Sequence, residues 1–332
     1  MIKPWLWFPP QFSHALSGIG VQAAAYLADD WESDPDCRWK PFRWNGLEFK
    51  NRLGIAGGLD KNADFVEAWQ KLGAGFIEVG TITSRPQGPN PGKIIDRDNS
   101  QLALWNRMGF PSKGSHLVWE QIRFLEKRVP LFVNIGKNRD TPHDKALHDY
   151  LELTEKFRAV SDVIVVNISS PNTPGLRQLG QAEELKKWIG PVVKKSIYTP
   201  ILLKLSPDME PEALHETVRT AIGEGVLGFV VSNTTLQRTQ DSPFPKEGGV
   251  SGAPLSELSK IALQRVLDAC GSDRTSMLIV NCGGVMTESD VFDRLRLGAD
   301  LVQAYSALVF SGPGFLKDVA LEWKRLNRDD LG

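Results

Sequence analysis

What most limits the fold of this chain is a series of short apolar runs, each separated from the next by turns or helical segments. They begin as "LGIAGG" at 53, "FIEVGT" at 76, "LFVNI" at 131, "VIVVNI" at 163, "ILLKL" at 201, "VLGFVVS" at 226, "MLIVNC" at 277 and "DLVQAY" at 300. Between them "ADFVEAWQKLG" at 63, "AEELKKWIGPVVKK" at 182, "EPEALHETVRTAIGEG" at 210 and "ESDVFDRLRLG" at 288 read as helices. Strand followed by helix, repeated over about 270 residues, predicts an α/β fold of the (β/α)8 TIM-barrel type, because eight parallel strands close that barrel. "LEFKNR" just before the first run reads as a short preliminary strand. An open, doubly wound Rossmann-like sheet is the alternative, but no GxGxxG opens the first unit and no P-loop occurs.

Barrel chemistry gathers at the C-terminal ends of the strands. Here those ends supply Lys61, Thr81, Asn134 with Lys137, Asn167 with Ser170, Lys204, Ser232 with Asn233 and Thr234, Gly283 with Gly284, and Tyr305 with Ser306. Any one of them has a plain explanation as a turn former or a solvated charge. Seven of the eight ends carry Lys, Asn, Ser or Thr together, and the other offers a glycine pair. A shared polar ligand explains that joint pattern better than independent turns. The glycines near the last two strands, with "GGVSG" at 248–252, suit a phosphate approached by backbone N–H groups.

The stretch "VVNISSPNTPG" at 165–175 passes from a β-branched run directly into polar residues. Asn106, Asn134, Asn167, Asn172 and Asn233 each offer a donor and an acceptor without charge, as a small planar polar substrate stacked on a cofactor requires. Lys61 and Lys204 are cations able to stabilise negative charge on a bound ring or carboxylate. Ser170 is held by the following Pro171, and as a base it needs a pocket or water relay to carry the proton away. No histidine closely follows a strand and GxSxG is absent, which argues against serine hydrolase chemistry. Redox chemistry assigned to a cofactor fits better.

Totals narrow the partners. With 39 basic and 40 acidic residues in 332, the chain has no cationic surplus of the kind nucleic-acid binding leaves. Three unclustered cysteines point to a reducing compartment, and five scattered histidines without HExxH or CxxC predict no metal site. The length favours one large domain with a small appendage. Oligomeric state is not encoded in any visible pattern.

The appendage is the N-terminus. Residues 4–28 carry no Asp, Glu, Lys or Arg, yet polar residues and Pro9-Pro10 interrupt the run, against both a spanning helix and a secretory signal. A helix is predicted from about Gln11, with Phe12, Leu16 and Ile19 at near-helical spacing. Two readings stay open: the segment packs on the main domain and hides its aromatics, or it lies on a bilayer or lines an apolar entrance. Acidic "DDWESDPD" at 29–36 reads as a solvated linker.

"GLDKN" (58–62), "NRMGF" (106–110), "NIGKNRDT" (134–141), "NISSPNTPGLR" (167–177), "LLKLSPD" (202–208), "SNTTL" (232–236), "GGVSGAPL" (248–255) and "QAYSALVF" (303–310) together resemble the dihydroorotate dehydrogenases. The resemblance spans essentially the whole chain. It implies FMN in the barrel and oxidation of (S)-dihydroorotate to orotate in de novo pyrimidine synthesis. Class 1 members use a cysteine base where this chain has Ser170. Serine there, with an N-terminal extension, resembles class 2, whose final acceptor is a membrane quinone.

Carried over by position, Ser170 resembles the base that removes the C5 proton while hydride leaves C6. Asn106, Asn167, Asn172, Asn233 and Thr234 resemble orotate-binding groups, and Lys61 would touch both flavin and substrate. Gly57, Gly58, Thr81, Asn134, Asn167, Lys204, Ser232, Gly252, Gly283, Gly284, Tyr305 and Ser306 resemble the FMN set. Arg97, His14 and Tyr305 would face the quinone tunnel. The resemblance further implies residues 1–45 as a membrane-associated, quinone-entry segment and 46–332 as the barrel. It also implies peripheral attachment to the cytoplasmic face of a bacterial inner membrane. A related FMN barrel with another cyclic amide or a soluble acceptor, and a non-catalytic membrane-interaction module, are the alternatives. Departures from the family pattern are Gly57 for alanine, Ser232 for threonine, Trp105 for a smaller aliphatic, and "PGKIIDRD" in place of a strand with two regularly placed arginines. The loop 237–249 reads either as a lid or as a surface connection.

Overall fold

The structure is a computed structural model and describes residues 3–28 and 35–327. A 3-10 turn, Pro4–Trp7, leads at Pro9-Pro10 into helix α1 (Pro10–Leu27). Proline in the first turn starts this helix without losing a hydrogen bond, since the first N–H groups have no intrahelical acceptor. The hairpin β1 (Phe42–Trp44) and β2 (Leu47–Phe49) precedes the first barrel strand β3 (Leu53–Asp60). Then come α2 (Val66–Lys71) and β4 (Ile77–Ile82), followed by an excursion containing β5 (Ile95–Asp98), β6 (Ala103–Asn106) and α3 (Ser115–Ile122). The alternation resumes with β7 (Leu131–Ile135), α4 (Ala146–Phe157), β8 (Val163–Asn167), α5 (Ala182–Ser196), β9 (Ile201–Leu205) and α6 (Pro211–Gly223). It ends with β10 (Gly228–Val231), β11 (Gly249–Gly252), α7 (Ser256–Cys270), β12 (Leu278–Cys282), α8 (Glu288–Arg296), β13 (Leu301–Ala304), α9 (Ser306–Ser311) and α10 (Phe315–Leu326).

Strands β3, β4, β7, β8, β9, β10, β12 and β13 close a parallel barrel, so all eight predicted runs become its staves. The open-sheet alternative is excluded by that closure. Successive side chains of a strand point to opposite faces, and this parity separates two cores. Ile164, Val166, Leu203, Phe229 and Ile279 face the helices. Phe76, Phe132, Val163, Val165, Leu202, Val230, Leu278, Val280 and Leu301 fill the barrel, where Phe49 of the hairpin plugs the bottom against the rings of Phe76 and Phe132. Continuing each inward-facing set toward the C-terminal end turns it polar: Phe76 is followed by Glu78, Phe132 by Asn134, Val165 by Asn167, Leu202 by Lys204, and Leu301 by Gln303. The barrel is thus dry at the bottom and polar at the top.

Helix α2 is shorter than the periodicity predicts. Asp60 accepts hydrogen bonds from the Asp64 and Phe65 N–H groups, which holds residues 61–65 in a loop at the barrel mouth. The segment read as lacking its strand does contain one: β5 pairs antiparallel with β6, and β6 with β11, making a three-stranded sheet beside the mouth. Trp105 of β6 fills this sheet's small core with Ala103, Phe244 and Val250 and donates to the Glu247 carbonyl at 2.7 Å. Arg238 donates to the carbonyls of Pro245, Lys246, Glu247 and Gly248, so the 237–249 loop is wound about one guanidinium.

Helix α1 lies outside the barrel, against α2 and β5, with Ala25 its only buried residue. Trp5 is anchored by its indole N–H to the Val309 carbonyl. Of the two readings left open, the one in which the segment hides its aromatics is not met: Trp7 is 75% exposed, Phe8 and Phe12 are exposed, and so are the aliphatic Leu16 and Ile19. No helix among the described residues is long and apolar enough to cross a membrane. The acidic stretch 29–36 lies outside the described residues, except that its last two positions enter a 3-10 turn, Pro35–Arg38.

Candidate active site

The polar top of the barrel opens into a cleft of about 980 Å³, its open mouth included. At its base stands Glu78, a carboxylate with no solvent exposure. Lys204 Nζ binds its Oε1 at 2.9 Å, Asn134 Nδ2 binds the same oxygen at 2.6 Å, and Gln303 Nε2 binds Oε2 at 2.6 Å. Burial opposes the Lys204 charge, but Glu78 overrides it and holds the ammonium above the usual lysine pKa. Asn134 and Gln303 both spend their N–H2 groups on Glu78, which leaves Asn134 Oδ1 and Gln303 Oε1 buried without a partner. Two orphaned acceptors on residues that both line the cleft are costly unless a ligand donates to them.

A second layer comes from the β8–α5 and β10–β11 connections. Asn167 donates to Thr81 Oγ1 at 3.0 Å and accepts from the Ser169 hydroxyl at 2.9 Å, which itself accepts from Asn233 Nδ2 at 2.8 Å. Asn233 Oδ1 in turn accepts from the Thr234 N–H. The β6 strand brings Asn106 in from the side, where Asn172 Nδ2 donates to its Oδ1 at 3.1 Å; Asn172 Oδ1 is a third buried acceptor without a partner. Ser170 is 5% exposed, and its Oγ accepts the Asn172 N–H at 3.2 Å. That hydroxyl makes no hydrogen bond to a histidine or carboxylate among the described residues, as the absence of a Ser-His pair predicts.

Lys61 donates to the Gly58 carbonyl at 2.7 Å, and burial lowers its pKa to about 8 despite Asp60 beside it. Asp60 is itself raised to about 6 by burial. His14 of α1 is lowered to about 4 by burial and by the positive Lys61, and is therefore neutral at physiological pH.

Ser170, Lys61, Asn106, Asn134, Asn167, Asn172, Asn233, Thr234, Gly57, Gly58, Thr81, Lys204, Ser232, Gly283, Gly284, Tyr305 and Ser306 all line this cleft. Gly252 does not: it lies in β11 with φ +87, where a Cβ would collide with the Leu102 carbonyl, so its requirement is strand packing. Gly284 does line the cleft, and a Cβ there would overlap Ser256 Cα, which keeps two backbone loops in contact. His14 and Arg97 lie off the cleft lining. Arg97 Nη2 instead donates to the Leu6 and Phe8 carbonyls at 2.9 and 3.0 Å, clasping the N-terminal turn. Sequence reasoning missed Glu78, Gln303 and Ser169. Parity would have found the first two, since each follows a barrel-facing residue by two positions.

A family model described as dihydroorotate dehydrogenase matches residues 42–326. The dihydroorotate dehydrogenase (quinone) of Myxococcus xanthus is 39% identical over 280 residues, covering 82% of this chain and 76% of the relative. That of Acidithiobacillus ferrooxidans is 34% identical over 342 residues, covering 97% and 93%. A crystal structure of Eimeria tenella DHODH in complex with ferulenol superposes with a TM-score of 0.86 at 31% identity, covering 97% of this chain and 92% of that one. A barrel closed by the predicted strands, a polar cleft at its C-terminal end and matches over nearly the full length lead to one conclusion: the chain belongs to the dihydroorotate dehydrogenase family.

Proposed function

We propose that the protein oxidises (S)-dihydroorotate to orotate in pyrimidine biosynthesis, with FMN bound in the cleft and a membrane quinone as the final electron acceptor. The observation that carries the cofactor is the pair of orphaned acceptors, Asn134 Oδ1 and Gln303 Oε1. A flavin ring edge presents an N–H donor of the kind they lack, and the glycine loops at 283–284 suit its phosphate. Thr81, Lys204, Ser232, Tyr305 and Ser306 complete the walls. Bound FMN supplies a two-electron acceptor for the hydride leaving C6.

Ser170 Oγ accepts the C5 proton as its own hydroxyl proton passes to solvent through a water relay. The Asn172 N–H directed at Oγ favours the alkoxide character that this loss creates. Asn106, Asn172, Asn233 and Thr234 orient the substrate amides, with Asn172 Oδ1 left to accept from one of them. Lys61 is positive below about pH 8 and balances the substrate carboxylate. Lys204, fixed by Glu78, would present a preplaced cation to negative charge on a flavin held in the cleft.

Residues 1–45 act as the quinone entrance and as a peripheral contact with the cytoplasmic face of a bacterial inner membrane, and 46–332 as the catalytic domain. Support comes from the exposed row of Phe8, Phe12, Leu16 and Ile19 and from Arg97 fastening the N-terminal turn beside the three-stranded sheet. Anaerobic mixing with dihydroorotate tests the chemistry: the oxidised flavin absorbance should bleach, and an unchanged spectrum removes the assigned substrate. Turnover should follow with quinone and be slow with fumarate or NAD; rapid turnover with either soluble acceptor removes the quinone assignment.

A further inference from the structure

Arg294, on α8, is another buried charged residue, and the chemistry above does not use it. Its exposure is 0%, yet none of its hydrogen-bond acceptors is a carboxylate. Nη2 donates to the Ser256 carbonyl and hydroxyl, each at 3.1 Å, and to the Gly283 carbonyl at 3.4 Å. Nε and Nη1 are buried and have no partner among the described residues. Arginine stays protonated in proteins, so a full positive charge sits here hydrogen-bonded to neutral groups alone; Asp290, Glu257 and Asp293 act on it through space without bonding to it, and a buried charge so weakly paired is unfavourable unless a further anion lies close by.

The two loops that Arg294 ties together both reach the cleft. Leu255, Gly283 and Gly284 line it, beside Ser251 and Ser306, whose hydroxyls stand 3.3 Å apart. In a trans peptide the carbonyl and the following N–H point in opposite directions. With the Gly283 carbonyl turned toward Arg294, the Gly284 N–H points away from it, and that N–H has no protein acceptor among the described residues. Ser256 also begins α7, a 15-residue helix whose positive end is at this place.

We infer that Arg294 is a positioning residue for the cofactor phosphate. Its charge, placed behind the glycine loop, makes the cleft prefer a phosphorylated flavin over the same flavin without phosphate, and its hydrogen bonds turn the loop's N–H groups toward that anion. The inference rests on the FMN assignment and deepens it.

The test titrates the full-length chain, freed of flavin, with FMN and with riboflavin, following flavin fluorescence, in the native protein and in Arg294→Met and Arg294→Lys. Arg294→Met should weaken FMN about 10-fold to 100-fold while riboflavin changes less than about threefold, the pattern of a lost charge. Arg294→Lys should keep the preference for FMN within about fivefold of native, since the charge remains. Parallel losses for both flavins in Arg294→Met would mean a loop clamp only and overturn the inference, as would no loss in either. Should Arg294→Met not fold, Arg294→Lys decides: a folded variant that no longer distinguishes the flavins overturns the role of charge. A native protein that binds neither flavin removes the FMN assignment and this inference with it, whereas tight native FMN binding with an unselective Arg294 effect removes this inference alone.

Discussion

Glu78 and Tyr26 stand in opposite surroundings: a carboxylate with 0% exposure at the top of the barrel, and an aromatic residue with 86% exposure at the end of α1. Around Glu78, every donor of Asn134, Gln303 and Lys204 that reaches it is accounted for, while acceptors on the same residues are left over. Around α1, apolar side chains are left over instead, and only Ala25 is buried. Polar groups without partners call for a polar ligand, and exposed apolar surface calls for an apolar phase; each half-exposed Phe, Leu or Ile forgoes on the order of 1 kcal/mol of burial. One chain therefore carries two unfinished surfaces of opposite character, and the reaction proposed for it joins a polar substrate to an apolar acceptor.

The strongest test of the polar surface is Ser170→Ala, which should slow flavin reduction by dihydroorotate by about 10² to 10⁴ with FMN still bound, because a proton acceptor is lost and the cofactor walls are intact. Stopped-flow absorbance measures it, and equal rates would exclude Ser170 as the base. Next is Glu78→Leu, which leaves Lys204 charged and unpaired inside the barrel. A loss of about 3–5 kcal/mol in unfolding free energy is expected in denaturant titration, and a change under about 1 kcal/mol would show that the network is not structural.

A smaller effect should appear in pH. The Lys61 charge is fully present well below pH 8 and is lost as pH rises through that value. Orotate affinity should therefore be flat below about pH 7.5 and weaken by up to about tenfold per unit at higher pH. Lys61→Met should bind weakly and lack the slope, and calorimetry on both proteins measures the difference. The smallest effect on the barrel is expected from deleting roughly the first 30 residues, whose helix lies outside the ring of staves. Flavin reduction by dihydroorotate should stay within about twofold, while flotation with liposomes is lost. Equal flotation of both proteins would break the contrast between the two surfaces.

Much of the barrel was legible because a strand covered on both faces must be apolar on both, and eight such runs stand out in this chain. The site was legible where polar residues end or follow the runs, as at Asn134, Asn167, Ser170, Lys204 and Ser232. Two polar residues nearer the middle of their runs were missed. Glu78 in "FIEVGT" and Gln303 in "DLVQAY" look like interruptions until the inward parity of Phe76 and Leu301 is known. The three-stranded sheet was hidden for another reason: β5 is Ile-Asp-Arg-Asp, a strand by its pairing with β6 and not by its composition. Trp105, which looked like an oversized substitution, is explained by Phe244 and the Glu247 carbonyl, contacts made more than 130 positions away along the chain.

By itself the order of apolar runs determined the fold class, and the residues after those runs determined that the open end would be polar, since periodicity and turn chemistry are local properties. Only the tertiary structure decided which of those residues meet, that Glu78 anchors them, that Arg294 stands behind the glycines, and that the first helix keeps its apolar side in the open. Those facts depend on strand register and barrel closure, which place distant side chains within a few ångströms and are written in no single stretch of sequence.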